Sequence, residues 1–130
     1  MRQPTNSALG TLLPDLQERE QLPQTDLILC QFCRAAITSK QDSLIVGGHH
    51  QHRFLNPNGL NYSIGCFKVA PGCDISGPAI NDFTWFKHHS WQLARCSDCG
   101  EHLGWFYQHG ETSQFFGLII DKLRYPASTE

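Results

Sequence analysis

Two Cys-x-x-Cys pairs, Cys30-Gln31-Phe32-Cys33 and Cys96-Ser97-Asp98-Cys99, are the residues of this chain best equipped for chemistry. Two intervening residues let both thiolates of a tight turn converge on one ion, and two such turns complete the tetrahedron that Zn²⁺ prefers. The spacing predicts one structural zinc ion held by Cys30, Cys33, Cys96 and Cys99. Four protein ligands leave no open coordination position, so this metal is not expected to act on a substrate. With 62 residues between Cys33 and Cys96, the site would staple distant parts of the chain, which the unfolded state cannot organise. A lone pair would leave a redox dithiol open, but redox chemistry needs no second pair. His102, three residues past Cys99, is not required as a fifth ligand. His49, His50 and His52 resemble a metal tract but read as solvated loop histidines. Cys66 falls in an apolar alternation and reads as a small buried hydrophobe. Cys73 lies in a Gly/Pro-rich loop as a free thiol; a disulfide between Cys66 and Cys73 is the other reading, which a reducing compartment disfavours.

The second constellation is aromatic. All three tryptophans, Trp85, Trp91 and Trp105, fall within 21 residues. Period-2 alternation in a strand His102–Gln108 puts Leu103, Trp105 and Tyr107 on one face, with Gly104 and Phe106 on the other. Trp91 and Trp105 stand five residues before and six after the second pair of cysteines, nearly opposite each other across one hairpin. Trp85, in the loop Asn81-Asp82-Phe83-Thr84-Trp85-Phe86, can fold over them as a third wall. Spacing alone favours an aromatic core over an open cage. Phe115, Phe116, Leu118 and Ile120 can nevertheless supply a core without the tryptophans.

These side chains need elements to position them. Short extended runs alternate with turn residues: Asp26–Leu29, Ser43–Val46, His52–Leu55, Tyr62–Val69, Trp91–Arg95, His102–Gln108 and Phe115–Ile120 are the expected strands. Gly47-Gly48, Asn56-Pro57-Asn58-Gly59, Pro71-Gly72, Ser76-Gly77-Pro78 and His109-Gly110 separate them. After residue 26 no segment keeps a helical apolar period for three turns. The expected class is mostly β, with two antiparallel sheets pinned by the four-cysteine zinc site. Residues 1–25 read as a loosely held tail, 26–126 as one zinc-binding domain and 127–130 as a short C-terminal tail. The size, 130 residues with 40% apolar and 17% charged, suits one core. A formal charge of -2 without a basic cluster argues against nucleic acid. No stretch approaches the roughly 20 apolar residues of a membrane span. With no secretion signal in Met1–Gly10, a cytoplasmic location is expected.

Taken together, these motifs resemble the cereblon-type thalidomide-binding (CULT) domain, in particular its stand-alone bacterial members. The resemblance runs from about Cys30 to Tyr125. It rests on Cys30-x-x-Cys33, Phe54-Leu55-Asn56-Pro57-Asn58-Gly59, Phe83-Thr84-Trp85-Phe86, Trp91-x-x-Ala94-x-Cys96-x-x-Cys99, His102-Leu103-Gly104-Trp105 and Phe116-Gly117-Leu118. It implies the β-tent fold shared with methionine-sulfoxide reductase B and Yippee-like proteins, and a cage walled by Trp85, Trp91 and Trp105. Tyr107 would close the cage floor, where cereblon has Phe, and Asn56 and Pro57 would form the rim. Main chain around Phe83, Thr84 and Trp85 would bind the imide edge of a ligand. Phe83 replaces a His of cereblon and Asp82 a Glu, so affinities are expected to differ. The protease-like domain and adaptor-binding region of cereblon are not matched, so a ubiquitin-ligase role does not carry over.

Three indoles can hold a methylated ammonium through cation–π attraction or a small neutral ring through burial. A cation gains from rim carboxylates, of which Asp82 is the sole nearby candidate in sequence. The expectation is therefore a non-enzymatic module for cyclic imides (glutarimide, succinimide, hydantoin) or a pyrimidine-like ring such as uracil or uridine. A reductase-like thiol enzyme and a module reading modified residues or cyclised chain ends are the alternatives. The enzyme would need a nucleophilic cysteine beyond Cys99, and the chain has none there.

Overall fold

The computed structural model describes residues 26–126; the two expected tails lie outside them. The strands, in chain order, are β1 (Leu27–Cys30), β2 (Ala36–Ser39), β3 (Gln51–Leu55), β4 (Asn61–Phe67), β5 (Cys73–Ile80), β6 (Ser90–Cys96), β7 (His102–His109), β8 (Ser113–Ile119) and β9 (Leu123–Arg124). They form two antiparallel sheets. One has three strands in the order β2-β1-β9, and the other six in the order β3-β4-β8-β7-β6-β5. Two single 3-10 turns, Lys40–Asp42 and Ile120–Lys122, interrupt the strands, and Asp26 ahead of β1 is also in 3-10 conformation.

The burial pattern explains the layering. The second half of β4, Ile64 to Phe67, and the run Phe115 to Ile119 in β8 are buried continuously instead of alternately, as expected of strands covered on both faces. On one face the small sheet contributes Ile28, Ile37 and Leu123 against Phe67, Ala94, Leu103, Phe116 and Leu118. On the other face, Cys66, Phe86, Tyr107 and Phe115 form a second cluster, with Phe54 and the three tryptophans packed around it. The adjacent residues Phe115 and Phe116 point to opposite faces and so serve different clusters.

Several expected strands shift or fail. Asp26–Leu29 is realised one residue later as β1. Ser43–Val46 is not a strand: it touches the sheet through the isolated bridge Ser43–Phe67, and Val46 turns back on His49 across Gly47-Gly48. β2, β5 and β9 were not anticipated. β5 was hidden by Ser76-Gly77-Pro78, which reads as a turn but here forms an irregularity between Ser76 and Ile80. As an edge strand, β5 tolerates proline and a left-handed Gly77 (φ 83°). Leu103 also departs from the alternation. Between β6 and β7 the register steps from Ala94–Gly104 to Arg95–His102, so Leu103 is the extra residue of a bulge. It is turned into the core between the sheets, away from Trp105 and Tyr107.

Candidate functional site

β1 ends at Cys30 and β6 ends at Cys96, and each continues into a turn built on the same scheme. Cys30 N–H donates to the Ala35 carbonyl at 2.8 Å, and Arg34 N–H returns to the Cys30 carbonyl at 2.9 Å. In the second turn Cys96 N–H donates to Glu101 at 2.8 Å and Gly100 N–H to Cys96 at 2.8 Å. The fourth residue after the first cysteine takes a left-handed backbone in both, Arg34 at φ 70° and Gly100 at φ 81°. The two turns bring all four sulfurs within 4.8 Å of one another. Cys30 Sγ lies 3.8 Å from Cys99 Sγ, and Cys33 Sγ lies 3.6 Å from Cys96 Sγ. Thiolates bound about 2.3 Å from one tetrahedral ion stand ~3.8 Å apart, whereas a disulfide would need about 2.05 Å. The donor set therefore fits one metal ion, with one pair from the three-stranded sheet and one from the six-stranded sheet.

Cys66 and Cys73 are both free thiols. They sit on β4 and β5, with β8, β7 and β6 between them, which rules out the disulfide. Cys66 is fully buried, and that burial pushes its thiol up to about 12. It stays protonated and unreactive near neutral pH.

On the opposite face of the six-stranded sheet lies an aromatic cavity of about 220 Å³, lined by Asn56, Pro57, Tyr62, Phe83, Trp85, Trp91, Trp105 and Tyr107. The register puts Trp91 opposite Tyr107 and Leu93 opposite Trp105. Trp91 and Trp105 are thus diagonal neighbours on one face, one step off the directly opposed arrangement. Trp85 meets Trp105 edge to face at 5.0 Å and 78° and stacks on Phe54 at 4.9 Å and 8°. Tyr107 forms the floor, 2% exposed, between Phe86 and Phe115. Its phenol titrates above the usual tyrosine range, first because burial disfavours the phenolate and then because Cys66 is close.

The loop 81–89 is clipped down by the indoles themselves. Trp91 Nε1 donates to the Asp82 carbonyl at 2.8 Å, and Trp85 Nε1 donates to the Leu55 carbonyl at 3.3 Å. With those N–H groups engaged, Trp85 and Trp91 line the cavity with apolar ring surface. Thr84 Oγ1 and the Phe86 main chain close a small turn. Phe83 is forced to φ 57°, a conformation that disfavours bulky residues by about 1–2 kcal/mol, and the residue is 76% exposed at the mouth. Among the described residues no protein group takes the main-chain N–H or carbonyl of Phe83, Thr84 or Trp85. Opposite, Asn56 Oδ1 accepts from the N–H groups of Asn58 and Leu60, both at 2.9 Å. This Asx turn fixes the β3–β4 connection and sets Asn56 and Pro57 at the rim.

Seven of the nine residues expected to contact a ligand line this cavity. Thr84 instead lines an adjoining shallow groove with Leu55, Asn56, Pro57, Phe83 and Trp85. Asp82 enters through its carbonyl on Trp91, and its carboxylate is not part of the lining. Tyr62 was missed. Its signal was the hairpin around Asn56–Leu60, which pairs Tyr62 with Phe54 and sets it beside Trp85 and Trp105.

Comparison with known proteins bears on this arrangement. No protein-family model matches the chain. Among curated proteins it is 25% identical over 116 residues to "Protein cereblon" of Drosophila virilis and 24% identical over 111 residues to that of Drosophila melanogaster, covering 84% and 80% of this chain. It spans 18% and 19% of those two proteins, less than a fifth of their length. With the four-cysteine cluster and the tryptophan-lined cavity in one small β structure, these matches support a cereblon-type domain.

Proposed function

We propose that this chain is a non-enzymatic binding domain in which Trp85, Trp91 and Trp105 form a cage for the small neutral ring of a cyclic imide, such as glutarimide or a thalidomide-type ligand. The observation that carries the reading is the convergence of three indoles and Tyr107 on one cavity, beside Phe83–Trp85 main chain whose donors and acceptors no described residue takes. Indole faces bury the ring's methylenes, while an imide needs an acceptor for its N–H and donors for its carbonyls, which this backbone offers. The volume, about 220 Å³, is below the roughly 300–1,000 Å³ of sites for drug-sized molecules and suits a single ring. Uracil and uridine, or a cyclic imide at a peptide C-terminus, share the recognised edge. A methylated ammonium fits less well, since the lining holds no carboxylate. A thiol enzyme also fits less well, because Cys66, the cysteine nearest the aromatic cluster, is buried and protonated.

In this reading the four cysteines hold a structural zinc ion, for which an all-thiolate tetrahedral set is well suited. Free thiols throughout the described residues suit a reducing cytoplasm.

The test is titration of the intrinsic fluorescence with glutarimide, succinimide, uridine and trimethyllysine. Cyclic imides are expected to quench the emission, with micromolar to low-millimolar affinity for so small a ligand. Trp85→Ala and Trp105→Ala should abolish the response. Unchanged emission at saturating imide, or a response to trimethyllysine alone, would refute the proposal.

A further inference from the structure

Cys73 takes no part in the metal cluster, yet its place in the sheet is informative. It is the first residue of β5, and the register sets it directly opposite Cys96, the last residue of β6. Residues opposed in this way project to the same face. Neither uses its N–H on the other: Cys73 N–H donates to the Ala70 carbonyl at 3.0 Å and Cys96 N–H to the Glu101 carbonyl at 2.8 Å. The pair is therefore of the non-hydrogen-bonded kind, in which Cα atoms approach to about 4.5 Å and side chains come closest. That separation lies inside the roughly 4.4–6.8 Å range over which a disulfide closes. Both thiols belong to the same apolar cluster, Cys96 buried in it and Cys73 packed half-buried against it.

We propose that Cys73 and Cys96 are a modification site for peroxide-class oxidants, at which a cross-strand disulfide withdraws Cys96 from the metal-ligand set. Entry is at Cys99, the exposed member of the four. Its thiolate attacks one peroxide oxygen, the O–O bond breaks, and a sulfenic acid and hydroxide result. Cys96, two residues of spacer away, displaces the sulfenic oxygen as a second hydroxide and forms the turn disulfide. Burial keeps the Cys73 thiol protonated, so it gives its proton to the hydroxide just released, attacks Cys96 Sγ and frees Cys99 as thiolate. Overall, two sulfurs lose two electrons to form the Cys73–Cys96 bond, and one peroxide is reduced to the level of water. The metal keeps Cys30, Cys33 and Cys99 but loses its fourth ligand, and affinity falls accordingly.

The experiment uses the full chain loaded with one equivalent of zinc and treated with hydrogen peroxide. Zinc release is followed with a chromophoric chelator. Disulfides are mapped by mass spectrometry after alkylation of the remaining thiols. The expected product is a cross-linked peptide pair containing Cys73 and Cys96, with zinc release reversed by dithiothreitol. In Cys73→Ser oxidation should stop at the Cys96–Cys99 turn disulfide, with no cross-strand pair formed. Disulfides confined to Cys30–Cys33 and Cys96–Cys99, with Cys73 still open to alkylation, would overturn the proposal. So would absence of any oxidation at peroxide levels that oxidise a free thiol. Should Cys73→Ser fold poorly, the map of the wild-type chain decides alone. Because the readouts are metal and disulfides, failure here leaves the ligand proposal standing.

Discussion

His102 sits half-buried between the second cysteine turn and Trp105. Its Nε2 stands 2.8 Å from the Gly104 carbonyl, and its ring meets the Trp105 indole edge to face at 5.1 Å. Desolvation holds its pKa below the usual 6.5, and Lys122 and Arg95 push the same way, while the Gly104 carbonyl opposes them in part. The unfolded chain thus binds this proton more readily than the folded one. The stability contributed by neutral His102 is complete above about pH 6.5 and is lost as pH falls through that value toward the folded pKa. Urea midpoints measured with excess metal between pH 8 and pH 5 should decline less steeply for His102→Gln than for wild type. Equal slopes would refute this role. At this scale the cysteines were fully legible, since metal ligation depends on donor type and spacing alone. Tyr62 was not, because its place beside Trp85 depends on the pairing of β3 with β4. The carboxylate of Asp82 misled for a related reason: the loop turns its carbonyl, rather than its side chain, toward the site.

Among the elements, the link between the two sheets carries the sharpest constraint. Gly72 N–H donates to the Ile37 carbonyl at 3.0 Å, and the Gly72 carbonyl accepts from Ser97 N–H at 2.9 Å and Ser97 Oγ at 3.0 Å. One residue thereby joins β2 to the second cysteine turn. A methyl group on Gly72 would stand 2.2 Å from the Ala36 carbonyl oxygen and 2.6 Å from Ile37 Cα. Both obstacles are backbone and cannot swing aside. Gly72→Ala should therefore destabilise the fold by about 1–3 kcal/mol, visible as a lower thermal midpoint, whereas Gly110→Ala meets no atom within 4 Å and bears only the strain of its φ of 55°. A Gly72→Ala chain as stable as wild type would mean that the sheets can slide apart there. The strands flanking the cysteines and tryptophans could be read from apolar alternation. β5 and β9 could not: one is broken by Gly77-Pro78 and the other is two residues long, so tertiary pairing defines both. The bulge at Leu103 was equally hidden, because a period-2 reading has no means of inserting an extra residue.

For the whole molecule, the four-cysteine cluster and the aromatic cavity occupy opposite faces of one six-stranded sheet yet share β6, which carries Trp91 near its start and Cys96 at its end. Lys122 ties the three-stranded sheet to the same region, donating to the His102 carbonyl at 2.9 Å and pairing with Glu101 at 3.5 Å. Removing the metal should therefore lower both the thermal midpoint and the affinity for imides, with both recovering when metal is restored. A chelated chain that bound imides with unaltered affinity would uncouple the two faces. The two-sheet class and the four-cysteine pin were legible because each follows from local pattern. The packing of Tyr107, Phe86 and Cys66 beneath the tryptophans was not, since it depends on which face each strand turns to the loop 81–89.

The strand order also dictates the order in which the chain can assemble. β5 to β8 pair consecutively as hairpins, so they close with short loops and form early. β4 meets β8 with partners 49 to 55 positions apart, and β1 meets β9 with Cys30 beside Leu123, 93 positions apart. Closing such loops is entropically slow. The three-stranded sheet, made from both ends of the described chain, is then the last part to dock. A metal ion that already holds Cys96 and Cys99 would capture the arriving Cys30 and Cys33, acting as the latch on the final folding step.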